Sequence, residues 1–351
     1  MTTATARREG PDRLRLLVAF ASIYLVWGST YLAIKIGLES LPPLMLGGLR
    51  HLAAGALLFA GASLRRRAAA APAAAPEPAS RLLHWRNALI AGGLMLLGGN
   101  GGVCWAETRV PSGPTALVVA LVPLFIVILE ALRPGGRRPG RRVLAGLALG
   151  FVGLAILVGP EQLVGAGRLD PLGAGVLVFA TLSWASGSIF GRHAAMPRDP
   201  LRATAMQMLG GGALLVVVAL MLGEGARLRP AEVSARSWAA LAYLVVFGSI
   251  VAFTAYVWLM RVSTPSKVST YAYVNPIVAV LLGWGLGGEA LAPRTLLACV
   301  VIVGGVVLLT WAPARPSREP VPAANPAGRA ARAAAPDNPA VPGARRDGAP
   351  D

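Results

Sequence analysis

The chain has 351 residues, 55% of them hydrophobic and 14% charged, with a formal net charge of +17 and a mean hydropathy of +0.61. So apolar a balance excludes a water-soluble domain and makes the bilayer the solvent. The positive charge is scattered over connections without an aromatic-interleaved patch or binding module, which argues against a nucleic-acid partner.

A basic stretch, residues 1–15 with Arg7, Arg8, Arg13 and Arg15, precedes the first apolar run. That run lacks a small-residue cleavage site and further spans succeed it, so it reads as a retained segment. Ten apolar runs can be counted, with cores at 16–36, 43–64, 88–107, 112–132, 143–159, 171–191, 201–222, 237–260, 266–287 and 293–312. Each is long enough to cross roughly 30 Å of hydrocarbon as a helix. A barrel would show short alternating segments instead, so an all-α membrane protein of ten transmembrane helices is predicted. Two stretches stand apart: 65–86, which contains an Ala/Pro low-complexity run at 68–80, and the Pro/Ala/Arg-rich tail 313–351. Their composition predicts disorder. Cys104 and Cys299 fall inside predicted spans and read as buried thiols, not as a disulfide framework.

Lys and Arg in short loops stay preferentially on the cytoplasmic side. Taking alternate connections, one side carries 25 of them (both termini, 65–86, 133–142, 192–202 and 261–267) and the other carries 6. Both termini are therefore expected in the cytoplasm.

The sequence also repeats. LRHLAAGALL at 49–58 returns as MQMLGGGALL at 206–215, and the Trp-Gly-Ser-Thr at Trp27 returns as the Trp-Ala-Ser-Gly-Ser at Trp184, both at an offset of 157 residues. Arg109-Val-Pro-Ser leading to Pro123 is matched by Arg261-Val-Ser-Thr-Pro leading to Pro276. The chain thus divides into two five-span copies, 16–159 and 160–312. Because five is odd, the second copy enters the membrane from the opposite face, which makes the repeats inverted. Related halves packed about an in-plane pseudo-twofold axis can close one face while opening the other around a midplane site.

WGSTYLAIKIGLESLPPLMLGGLR (27–50), GNGGVCWAETRVPSGPTALVVALVPLF (99–125) and STYAYVNPIVAVLLGWGLGGEAL (269–291) together resemble the EamA-type branch of the drug/metabolite transporter superfamily, nearest to its inner-membrane exporters. The similarity covers about residues 14–312. It implies ten helices in two inverted five-helix repeats, and small-molecule export driven by a gradient or by exchange.

Arg50 lies well inside the second span, where a guanidinium costs at least about 2.5 kcal/mol unless it faces a cavity or a partner. It is the leading candidate to hold a carboxylate-bearing solute; snorkelling or pinning two helices is the competing role. Its repeat mate is Gln207, polar but neutral. Trp27, Ser29 and Thr30, with Trp184, Ser186 and Ser188 near the same helical level of the second copy, would give a cleft aromatic area and orienting hydroxyls; interfacial anchoring and small-residue packing compete with that reading. Lys35 and its mate Arg192 read as snorkelling cations near opposite faces. Asn100 sits among glycines at mid-depth. Glu107 closes the third span, where a carboxylate could exchange protons for coupling or merely be solvated. Pro123 and Pro276, expected at mid-span, each remove a backbone hydrogen bond and mark candidate hinges. Tyr271, Tyr273 and Asn275 could satisfy the backbone freed by the second proline or reach solute.

Gly283–Gly288 fits GxGxxG but closes an apolar span, so it is no dinucleotide fingerprint. His51, His84 and His193 are scattered without ligand spacing, and no Walker sequence is present. No metal, no cofactor and no catalytic set is expected. The reading is a multi-pass secondary active transporter of the plasma (inner) membrane that exports a small metabolite or drug-like molecule, with a proton or counter-solute as coupling partner. Import or exchange, a membrane scaffold, and an enzyme on lipid substrates are the alternatives; an enzyme would require a cluster of carboxylates or histidines that the sequence lacks.

Overall fold

A computed structural model describes residues 13–68, 80–110, 115, 118–136, 138–159, 170–287 and 293–310. The expected disorder of the tail, and of the linker core at 69–79, lies outside these residues. Ten helices of ten residues or more run in chain order among them: α1 Arg13–Gly37, α2 Pro43–Ala68, α3 Arg81–Ala106, α4 Val122–Leu132, α5 Arg141–Val158, α6 Pro171–His193, α7 Pro200–Met221, α8 Ala235–Val262, α9 Tyr271–Gly287 and α10 Pro293–Thr310. No strand interrupts them within the described residues. Eight are long and apolar enough to cross a membrane. The two that fall short stand where the fourth and ninth spans were expected: α4 has 11 residues and α9 has 17.

Helix also covers both ends of the stretch expected to be a disordered linker. α2 continues through Arg65–Arg67, good helix formers, to Ala68, and α3 starts at Arg81. Ser80 caps α3, its Oγ accepting from Leu83 N at 3.2 Å. The same chemistry starts other helices. Asp170 accepts from Leu172 N at 3.1 Å before Pro171 opens α6. Asp199 accepts from Leu201 N at 3.0 Å before Pro200 opens α7. α2 takes its cap from far along the chain: the buried Glu224 carboxylate accepts from Leu44 N at 3.3 Å and Met45 N at 2.8 Å.

Three helices widen into π-helical turns, at Ser22–Val26 in α1, Gly93–Gly101 in α3 and Leu244–Val251 in α8. The last two occupy matching places in the two sequence copies. Each offers a carbonyl to a side chain of the opposite half: Leu94 O accepts from Ser183 Oγ at 2.7 Å, and Gly248 O accepts from Trp27 Nε1 at 3.0 Å.

Packing pairs helices by their repeat equivalence. α2 lies along α7, and α5 along α10; α3 packs on α6 and α7, and α8 packs on α1 and α2. α4 packs on α6, and α9 on α1. Exchanging each helix for its sequence counterpart returns these same pairs. At the α3–α7 crossing the backbones nearly touch, since a Cβ on Gly92 would collide with Gln207 O and one on Gly211 would lie 2.5 Å from Gly92 O. Large apolar side chains such as Phe179 and Val300 point outward, as they do when lipid is the solvent.

Candidate functional site

Between the halves lies a cavity of about 850 Å³, counted to its mouth, walled by α1, α2, α3, α4, α6, α8 and α9. Arg50 supplies its charge. The side chain is 6% exposed, and its Nε donates to Ser249 Oγ at 2.7 Å. Ser249 is fully buried in the π-helical stretch of α8. Among the described residues no carboxylate pairs with Arg50. Gly248 explains how the guanidinium fits: a Cβ there would fall 2.9 Å from Arg50 Nη2 and 3.0 Å from Thr30 Cγ2. The Gly248-Ser249 step thus seats the cation and, through the Gly248 carbonyl, one aromatic wall.

The aromatic walls interlock. Trp27 meets Trp184 edge-on at 5.8 Å between ring centroids and Tyr271 at 4.8 Å, and Trp184 meets Phe253 at 6.3 Å. Asn100, Cys104 and Thr181 add polar and small groups to the lining, and His51 stands beside Arg50 with Nδ1 2.7 Å from Gly47 O. Glu107, one residue past the end of α3, also lines the cavity. Burial pushes its carboxyl up to about 7. Just outside, Arg109 pairs with Asp170 at 3.1 Å and holds that carboxyl below its ordinary range.

The structure brings Arg50, Trp27, Thr30, Asn100, Trp184, Tyr271, Asn275 and Glu107 to this one cavity. Asn275 also serves the backbone. With its amide turned so that nitrogen faces acceptors, it donates to the carbonyls of Ile23 (3.3 Å), Tyr24 (3.1 Å) and Tyr271 (3.1 Å), two of them in the widened turn of α1. Other expected residues go elsewhere. Ser29 Oγ donates to Val26 O at 2.7 Å and pairs with the Tyr243 hydroxyl at 2.6 Å. Tyr273 points to α5, its hydroxyl donating to Leu147 O at 3.3 Å. Ser186 lines neither cavity, while Ser188 and Gln207 line a second, smaller one. Pro276 is inside α9, but Pro123 stands in the first turn of α4 and not at mid-span, where a missing N–H costs nothing.

Cys104 is a buried thiol, whereas Cys299 is only half-buried. Among the described residues no three His, Cys, Asp or Glu side chains cluster closely enough to hold a metal ion. Sequence reasoning passed over Ser249, Phe253 and His51. Phe253 was within reach, because the repeat offset that links Arg109 to Arg261 carries the 99–104 run onto 251–256. Ser249, one hydroxyl in the apolar run LVVFGSIV, carries no such signal.

The sequence matches the EamA-like transporter family twice, over residues 15–159 and 171–311. It is 41% identical over 313 residues to "Uncharacterized inner membrane transporter YedA" of Escherichia coli, covering 88% of this chain and 96% of that protein. It is 26% identical to "Probable amino-acid metabolite efflux pump" of Salmonella typhimurium, with 82% and 91% covered. A crystal structure with 23% sequence identity superposes with a TM-score of 0.66 over 85% of this chain and 97% of that one, a likeness of fold.

Proposed function

The chain belongs to the EamA-like transporter family, and from that premise we propose that it is a secondary active exporter of the inner membrane, with a small solute that carries an oxyanion on an apolar or aromatic body. The observation that carries the solute class is Arg50, a buried guanidinium on the cavity wall with a hydroxyl partner and, among the described residues, no carboxylate paired with it. An uncompensated charge in so apolar a setting is costly unless a ligand repays it, and the guanidinium fork suits a carboxylate. Trp27, Trp184, Phe253 and Tyr271 give the rest of the solute an aromatic surface.

In this reading ten helices span the membrane as two inverted five-helix repeats with both termini cytoplasmic. The exchange-symmetric packing and the lopsided loop charge support it. The cavity then opens to the outer side, where Glu107 stands at its mouth and exchanges the coupling proton. Transport proceeds by alternating access, with Pro276 as a weak point in α9. Export is supported by the efflux pump among the relatives.

The test compares metabolites in medium and cytosol of cells expressing the intact chain, Arg50→Ala or Arg50→Lys at matched membrane levels. A compound that accumulates outside with the intact chain, falls to background with Arg50→Ala and is partly restored by Arg50→Lys is the expected result. Equal export by all three overturns the site.

A further inference from the structure

The smaller cavity, about 280 Å³, is lined by Gly187, Gly191, Gln207 and Tyr256 together with Arg192 and Arg261. By the repeat correspondence the first four are the counterparts of Thr30, Ile34, Arg50 and Cys104, all of which line the large cavity. The same cleft is therefore built twice, once wide and once narrow.

The groups that fill and fasten the small one are specific. Arg192, in the last turn of α6, donates through Nη1 to the carbonyls of Met260 and, at 2.7 Å, Ser263. These are acceptors at the C-terminal end of α8, where a helix leaves carbonyls without partners and its dipole favours a cation. Arg261 reaches from α8 to Pro197 O, in the α6–α7 connection, at 3.4 Å. Deeper in, the Tyr256 hydroxyl donates to Ser188 Oγ at 2.6 Å, again tying α8 to α6. On the large cavity the counterparts are disengaged. Lys35, the mate of Arg192, is exposed and makes no side-chain hydrogen bond or ion pair among the described residues. Arg109, the mate of Arg261, turns to Asp170 and lies over the Trp105 ring at 4.9 Å.

We propose that the small cavity is the closed second entrance to the same site, that Arg192 and Arg261 are its latch, and that Lys35 fastens the opposite entrance against the end of α3 around Thr108 when this latch opens. The proposal rests on the alternating-access reading of the function. It makes Arg192 and Lys35 antagonists: each stabilises the state in which its own entrance is shut.

Thiol labelling tests it without knowledge of the solute. Cys104, with Cys299→Ala, reports the large cavity. Gly191→Cys in a Cys104→Ala, Cys299→Ala background reports the small one, where a Cβ at position 191 would meet Ala91 Cβ at an ordinary 3.6 Å. A membrane-impermeant maleimide is applied to intact cells and to inside-out vesicles, so that both faces are sampled. Arg192→Ala removes two charge-assisted hydrogen bonds and should slow labelling of Cys104 about tenfold while raising that of Gly191→Cys by a similar factor. Arg192→Lys should fall between, and Lys35→Ala should move both rates the other way. Unchanged rates at both positions, or a rise at both, overturn the latch, since a merely structural loss loosens the bundle without opposite signs. Opposite signs with no solute flux from any donor pool would keep the latch and overturn the transport reading; saturable flux with unchanged labelling would do the reverse.

Discussion

Ser249→Ala isolates the positioning of Arg50 from its charge. The substitution deletes one oxygen, 2.7 Å from Arg50 Nε, at a fully buried position, and leaves the guanidinium without its side-chain anchor. Hydrogen bonds to charged groups are worth about 1.5–3 kcal/mol. Because Arg50 lines a cavity that admits water, solvent replaces part of the lost bond and the lower end applies. About 1.5 kcal/mol is roughly a tenfold change. The expected result is a rise of about tenfold in KM for the solute whose export depends on Arg50, with Vmax altered less than about twofold, because uniform binding is lost and the conformational cycle is not. The assay is counterflow in proteoliposomes at matched protein density. Ser29→Ala is the control: its hydroxyl bonds Val26 O and Tyr243 away from the cavity, so KM should stay unchanged. A fall in Vmax at constant KM, or equal effects of the two substitutions, would refute the assignment of Ser249 as the group that aims the guanidinium.

Substitutions at two further positions bear on coupling and on the seating of α2. Burial raises the Glu107 carboxyl to about 7, so it is protonated in the folded protein at pH values where an unfolded chain would have lost the proton; its stabilising contribution is complete below about 4.5 and is lost as pH climbs through about 7. Solute flux should accordingly vary with a midpoint near pH 7, and Glu107→Gln should flatten that profile; a midpoint that survives the substitution assigns the titration elsewhere. Glu224→Ala removes both acceptors at the start of α2 and should cost about 2–3 kcal/mol from the lost cap and dipole partner, lowering Tm by several degrees, while Glu224→Gln keeps one oxygen and should lose about half as much; equal melting of all three would mean the contact is not stabilising.

Much of the bundle was legible because one rule dominates in lipid: backbone groups satisfied internally force long apolar helices, and these can be counted. The repeat was legible because Trp27/Trp184 and 49–58/206–215 survived divergence, and it predicted that α2 would have α7 as its counterpart. Arg50 stood out because charge within a span is rare. Direction around a helix was harder to read. In a soluble helix the polar face marks the outside, but here nearly every face is apolar, so Tyr273, which turns to α5, could not be told from Tyr271, which turns to the cavity. The widened turns at Ser22–Val26 and Leu244–Val251 add a second obstacle, since each rotates the residues beyond it away from the ordinary helical spacing. Ser29 lies just beyond the first of them and Phe253 just beyond the second. The linker boundaries differ from expectation because Arg65–Arg67 and Arg81, which in sequence look like loop charge, are the polar ends of α2 and α3.

The divergence of the two copies has an energetic side that can be tested on Arg50 itself. Gln207 occupies the same place in the second copy and is 3% exposed, in a cleft already holding Arg192 and Arg261; a third guanidinium there would be repelled by both and starved of water. Only the open cavity can carry the cation, and it carries it at a cost. Even a buried ion pair can be replaced by apolar groups of similar volume at no cost or with a gain of about 1–4 kcal/mol, and an unpaired guanidinium has less to offset its desolvation, here the single Ser249 hydrogen bond of about 1.5–3 kcal/mol. Arg50→Gln, which copies the second repeat into the first, should therefore leave Tm unchanged or slightly higher while abolishing export. Thermal melting in detergent and flux in proteoliposomes read the two effects separately. A sharp loss of stability would show that Arg50 is a structural pin between α2 and α8; loss of flux with an intact or raised Tm is what a site residue maintained for its ligand must give, because function is then the only thing the charge sustains.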